Sequence, residues 1–228
     1  MKKTIVSIFA FIIGLLSVAQ AITVDEFILK VKENQDKIHS FEAMMTTTIR
    51  SSAIAREIIQ KAKYYKKGIA KIRVEAINPM KQTTIYNGNE VIMIGADGQK
   101  TKLPKIGESM DMAEKSPLSY LDKFNMVLDE NGSSLVIKGT PKVAADKDSI
   151  GTITFVANKK DYTISKMTML RKDGQPMLDS DMQYIMINNI PILKSMDSSI
   201  EVNGQKMKVY VVYDDIKINE NLPDLLFQ

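Results

Sequence analysis

Hydrophobic and polar residues alternate along most of this chain, and only one stretch follows a helical period. From Ala70 onward, Ala70, Ile72, Val74 and Ala76 point one way and Lys71, Arg73 and Glu75 the other. Period-two alternation of this kind is the mark of a half-buried β-strand. Residues 41–52, 56–67 and 81–104 show β-branched or alternating patterns, as do 149–157, 161–174, 175–189, 190–204 and 205–219. Asn87-Gly88, Asp97-Gly98, Asp173-Gly174 and Asn203-Gly204 sit between such runs as hairpin turns, because glycine accepts the positive φ these turns demand.

The exception lies near the start. Val24, Phe27, Ile28, Val31 and Ile38 follow the three-four spacing of an amphipathic helix. Thr23 is placed as its N-cap, with Glu26 three residues on completing a capping box. Ser40 or Phe41 is expected to end it. Between the two groups of strands, a segment around 108–125 lacks alternation, and Ser116-Pro117 suits a helix start. One or two short helices are expected there, from Asp111 to Phe124. The predicted order is a helix, a first group of strands, a helical insertion and a second group of strands. Sequential hairpins give one large antiparallel sheet. A single helix cannot cover such a sheet flat, so the sheet is expected to curl around it as an open barrel.

Residues 1–21 change the setting. Two lysines, an unbroken apolar run from Ile5 and an Ala19-Gln20-Ala21 ending form a secretory signal peptide. The run is short for a membrane span, which needs about 20 apolar residues. No cysteine follows it to carry a lipid anchor. The expected mature chain is a single domain, 22–228, exported to a periplasm. Without Lys2 and Lys3 it carries 29 basic and 27 acidic residues, a net charge of +2. That near-neutrality makes no case for a nucleic-acid partner, and export argues against one.

Candidate chemistry is mostly removed by composition. Zero cysteines exclude disulfides and thiolate nucleophiles, and the single histidine, His39, cannot form a zinc cluster. His39 is expected in the last helical turn, where a cationic imidazole suits the helix dipole. No phosphate loop or nucleophile elbow is present. Asp214-Asp215 and Asp179/Asp181 are better explained as solvated charge than as acid–base pairs. No enzyme activity, cofactor or metal is expected.

The methionines are the positive signal: 15 in all, against no tryptophan. Methionine suits surfaces that must fit irregular apolar partners. Any one of them is most simply core filling. Their distribution points further, since Met167 with Met169 and Met182 with Met186 share strand faces, while Met110 and Met112 fall in the insertion.

Residues 25–50, "DEFILKVKENQDKIHSFEAMMTTTIR", resemble the helix-to-strand start of the LolA-like family, periplasmic carriers of outer-membrane lipoproteins and lipids. "YYKKGIAKIRVE" resembles that family's second-to-third strand turn, and "TTIYNGNEVIMI" its next hairpin. "SPLSYLDKF" falls where the family carries lid helices, and "YDDIKINENLPDLLF" resembles the ending of its longer members. The resemblance implies a mainly β (α+β) fold, a half-open antiparallel β-barrel of about 11 strands wrapped around the N-terminal helix. It implies a non-catalytic monomer that carries acylated lipoprotein or lipid. Its expected partners are an inner-membrane transporter, of the ABC lipoprotein-releasing or RND type, and an outer-membrane acceptor. The family's Arg-Pro pair after the second strand, whose arginine holds the lid, is replaced here by Lys67-Gly68. Lysine lacks the planar fork of guanidinium, which leaves Lys67 as a weaker candidate for lid contact.

On that reading Phe41, Ala43, Met45, Ile49, Ile72 and Val74 line an apolar cavity. Ile85 and Ile92 join them by pairing across the Asn87-Gly88 turn. Met167, Met169, Met182, Tyr184 and Met186 stand opposite. The lid contributes Met110, Met112, Leu118, Leu121 and Phe124. The rival from another class is a periplasmic regulatory or sensor protein that docks on a membrane partner, with Lys61, Lys63, Lys66 and Lys67 as a docking patch.

Overall fold

The computed structural model describes residues 22–53, 56–88, 90–103, 121, 123–143, 150–202 and 204–228. The expected signal peptide, and Met110, Met112 and Leu118 of the expected lid, lie outside the described residues.

Helix α1 spans Val24–Asp36 and opens with the expected capping box. The Glu26 backbone N–H donates to Thr23 Oγ1 at 3.2 Å, and the Thr23 N–H donates to Glu26 Oε2 at 2.8 Å. It ends sooner than the apolar period suggests. Lys37 caps it, His39 lies beyond it, and Ser40 already opens the first strand. Asn219 explains the early stop: its Oδ1 accepts the His39 backbone N–H and its Nδ2 donates to Lys37 O, at 2.8 and 2.9 Å. Tertiary hydrogen bonds thus take up groups that another helical turn would have used. His39 therefore lies outside the last helical turn expected for it, and its side chain is exposed.

Six strands follow: β1 Ser40–Ser51, β2 Ile58–Lys67, β3 Lys71–Asn78, β4 Gln82–Tyr86, β5 Val91–Ile94 and β6 Lys100–Leu103. After residues 104–123 come β7 Phe124–Asn131, β8 Ser134–Pro141, β9 Ile150–Asn158, β10 Ile164–Arg171, β11 Pro176–Ile187, β12 Ile190–Val202 and β13 Gln205–Ile218. All pair antiparallel in one 13-stranded sheet ordered β6-β5-β4-β3-β2-β1-β13-β12-β11-β10-β9-β8-β7. β7 and β8 are two more strands than the sequence pattern predicts. Phe124 is correspondingly the first residue of a strand and not the last of a helix. The two edges, β6 and β7, are neighbours in sequence, so residues 104–123 join one edge of the open sheet to the other.

Side-chain alternation gives this sheet two faces with different cores. α1 lies on the concave face against the C-terminal strands. There Phe27 and Val31 pack with Leu135, Ile137, Ile153, Phe155, Met167 and Met169, all under a tenth exposed. Leu121 and Phe124 join the same cluster. A second, smaller core forms on the convex face, where the chain's last residues fold back. The 3₁₀ turn Asp224–Phe227 sets Phe227 with Leu222 onto Ile85 and Ile92. The barrel is therefore half open, wrapped around its helix on one side and strapped by its tail on the other.

Candidate ligand-binding face

Register decides which side chains share the concave face. Phe41, Ala43, Met45 and Ile49 of β1 stand directly across from Lys66, Tyr64, Ala62 and Ile58 of β2. Tyr64 and Lys66 stand across from Val74 and Ile72 of β3, which in turn face Thr84 and Tyr86 of β4. On the other flank Met45 pairs with Tyr213 of β13. This brings Phe41, Ala43, Met45, Ile49, Ile72 and Val74 onto one surface, as the alternation predicts. Tyr64, Tyr213 and Lys66 belong to the same surface and were not anticipated there.

Phe41, Tyr64 and Tyr213 form a triangle of edge-to-face rings with centroids 5.6 to 5.8 Å apart, the arrangement the ring quadrupole prefers. Burial pushes the Tyr64 hydroxyl above the ordinary tyrosine range, with nearby Tyr213 adding to it, and burial raises Tyr213 as well. Burial pushes the Lys66 ammonium the other way, below its ordinary value, since a poorly solvated amine favours its neutral form. Further along the strands a hollow of about 230 Å³ is lined by Ile58, Gln60, Val74, Ala76, Met80 and Thr84, among others. Phe41, Met45, Ile49 and Val74 are half-buried, whereas Ala43 and Ile72 are buried.

The second half of the expected lining is spread over three environments. Met167 and Met169 are buried in the core beneath α1, and Met182 packs partly against it. Tyr184 is half-buried, its Oη donating weakly to Met182 Sδ at 3.9 Å. Met186, near the end of β11, is exposed. Midway across, buried Ser180 and Ser198 share a 2.7 Å hydrogen bond. Each buried hydroxyl thus has its hydrogen-bond partner within the sheet.

Ile85 and Ile92 do pair across the hairpin, but on the opposite face from Ile72 and Val74. Ile72 stands across from Tyr86, so Ile85, one residue on, points outward beneath Leu222 and Phe227. Placing these two in the concave cavity is corrected by that single step in register.

Lys67 also points outward. Its Nζ donates to Leu222 O at 2.7 Å and to Asp224 Oδ1 at 2.9 Å. The role expected for it at the lid is replaced by a role at the tail. Lys71 shares Asp224 at 2.9 Å, and Arg73 Nη1 donates to Leu226 O at 2.8 Å. The wet face expected for Lys71, Arg73 and Glu75 is in fact covered by the tail, leaving Arg73 and Glu75 mostly buried. The proposed lysine patch divides as well: Lys61, Lys63 and Lys67 project outward, Lys66 inward. Among the described residues, no cluster of His, Cys, Asp and Glu could hold a metal. No described helix is long and apolar enough to cross a membrane.

No protein-family model matches this sequence, and neither does any curated protein. Solved structures do match it. A LolA superfamily protein from Nitrosomonas europaea superposes with a TM-score of 0.64 at 15% identity, over 91% of this chain and 98% of that one. The chain has a LolA-like fold. An outer membrane lipoprotein-sorting protein domain from Vibrio parahaemolyticus shares it, with a TM-score of 0.62 at 12% identity over 90% and 97%. A DUF1329 family protein from Desulfovibrio piger gives 0.66 at 10% identity over 89% and 95%. With identities this low, the LolA-like fold is what these structures share with the chain.

Proposed function

We propose that this protein is a periplasmic carrier that holds the acyl chains of lipoproteins or lipids on its concave face and passes them between membranes, without catalysis. The observation that carries the proposal is the asymmetry of that face. α1 fills the half over β7–β10, while on the half over β1–β5 half-buried Phe41, Met45, Ile49 and Val74 lie among buried Ala43, Ala62, Ile72 and Val91, beside a hollow of mixed apolar and polar lining. Ligand pockets are typically apolar, with few polar groups, and flexible methionine such as Met45 adapts to chains of varying shape. On this reading residues 1–21 are a cleaved signal and 22–228 one carrier domain. An inner-membrane transporter would load it and an outer-membrane acceptor unload it.

Native mass spectrometry of the protein, purified from periplasm without detergent, tests the reading. Acyl-lipid or lipoprotein adducts that leave on mild activation are expected. A bare protein peak that stays bare after incubation with lipid would overturn the carrier. A stoichiometric membrane-protein partner on that bare protein would put a docking regulator in its place.

A further inference from the structure

Of the side chains that β1–β6 turn toward the concave face, Lys66 is the only charged one. Phe41 stands directly across from it on one side and Ile72 on the other, with Tyr86 beyond Ile72. The two carboxylates these six strands carry, Glu42 and Glu75, pair with Tyr65 and Lys63 in the outward-facing register. On the convex face Lys67 and Lys71 hold Asp224, and Arg73 holds Glu75, while Lys61 and Lys63 are exposed to water. Lys66 makes no hydrogen bond or ion pair among the described residues. An ammonium held against apolar neighbours with no counter-charge is unfavourable in itself, and a bound anion relieves that.

Its position specifies what kind of anion. Lys66 lies one residue before the end of β2, so it stands at one end of this face, half-buried. From there Tyr64, Ala62 and Gln60 continue along the same face toward the hollow lined by Ile58 and Val74. Six residues of strand separate Lys66 from Gln60, roughly 20 Å at 3.3 Å per residue. A cation at one end of a largely apolar sheet face of that length, with a hollow at the other end, complements a long-chain amphiphile with a negative head.

We propose that Lys66 is the headgroup-recognition residue of this face and that the cargo is an acyl lipid with an anionic headgroup. The inference rests on the carrier reading above and names its cargo class. Burial weakens the hydration of the Lys66 ammonium and so strengthens a charge-assisted hydrogen bond to a carboxylate or phosphate.

The test is displacement of a neutral fluorescent apolar probe from the exported protein by palmitate and, in parallel, by hexadecanol, which has the same chain length but no charge. The wild type should bind palmitate more tightly. Lys66→Met keeps the apolar stem and should weaken palmitate about tenfold, about 1.4 kcal/mol, leaving hexadecanol unchanged. Lys66→Arg should restore the preference. Equal binding of both ligands by the wild type overturns the assignment of Lys66 alone. So does a Lys66→Met variant that leaves palmitate unchanged or weakens both ligands equally. Failure of both ligands to displace the probe from the wild type overturns the carrier reading along with it.

Discussion

The C-terminal strap invites a quantitative test, because its apolar and ionic contributions can be removed separately. Phe227 is 2% exposed and rests with Leu222 on Ile85, itself fully buried, and on Ile92. In a rigid core, Phe→Ala costs about 3–5 kcal/mol through lost transfer energy and the cavity left behind. Here the cost has a ceiling. The strap is a chain end, so instead of enclosing a cavity it can peel away, and the loss cannot exceed the free energy that docks it. The low end, about 3 kcal/mol, is therefore expected. For a chain of this size each kcal/mol moves Tm by about 2–4 °C, which gives a fall of about 6–12 °C for Phe227→Ala.

Asp224 should behave differently. Its carboxylate accepts from Lys67 and Lys71, which holds its pKa down at about 2, yet it sits in solvent. Exposed ion pairs contribute little to stability, so Asp224→Ala should lower Tm by a small fraction of the Phe227→Ala effect. Thermal unfolding of the wild type and the two variants decides it. A Phe227→Ala protein melting within about 2 °C of the wild type would mean the strap is not docked. Equal losses for both variants would mean that charge rather than burial holds it. Acyl-ligand binding should survive in both, because the strap and the concave face lie on opposite sides of the sheet.

The sequence carried most of the sheet because its strands have one wet face. Hairpins at Asn87-Gly88, Asp97-Gly98 and Asp173-Gly174 form with positive φ at each glycine, β10 to β13 fall within the alternating segments, and β9 overruns its segment only by Asn158. The missed hairpin had its own signal. Phe124, Met126 and Leu128 alternate with polar Asn125 and Asp129, and Asn131-Gly132 supplies the turn. Val127 blurs that pattern, since it is a large hydrophobic left exposed. The lysine patch could have been divided by parity alone, because Lys66 is the only even-numbered member.

Other features were not legible from local pattern. Ile85 and Ile92 read as cavity residues because nothing in a strand's own sequence says that a second apolar surface exists behind it. That surface depends on Leu222 and Phe227, more than a hundred residues away. The same contact turns Arg73 from a solvent-facing charge into a donor to Leu226 O. The end of α1 is set by Asn219, at the far end of β13. Each of these is a long-range tertiary choice overriding local propensity.

Three further tests address the packing and the site. Val74→Trp should fill the hollow it lines and weaken acyl-ligand binding about tenfold or more with little change in Tm; undiminished binding would move the site elsewhere. Gly151→Ala should destabilise by about 1–3 kcal/mol, because a Cβ there would meet only backbone, with Lys172 Cα at 2.6 Å and Arg171 O at 2.7 Å; a wild-type urea midpoint would refute that close approach. Burial pushes the Tyr184 hydroxyl up to about 12, with nearby Asp161 adding to it, and holds Tyr64 and Tyr213 high as well. A tyrosine that stays neutral in the fold but ionises near 10 once unfolded gives stability that is complete below pH 10 and lost as pH rises toward 12. Tyrosinate absorbance should therefore show these three of the eight tyrosines ionising together with alkaline unfolding. Smooth titration of all eight near pH 10 with the fold intact would show that the aromatic triangle and the Tyr184 site are open to water.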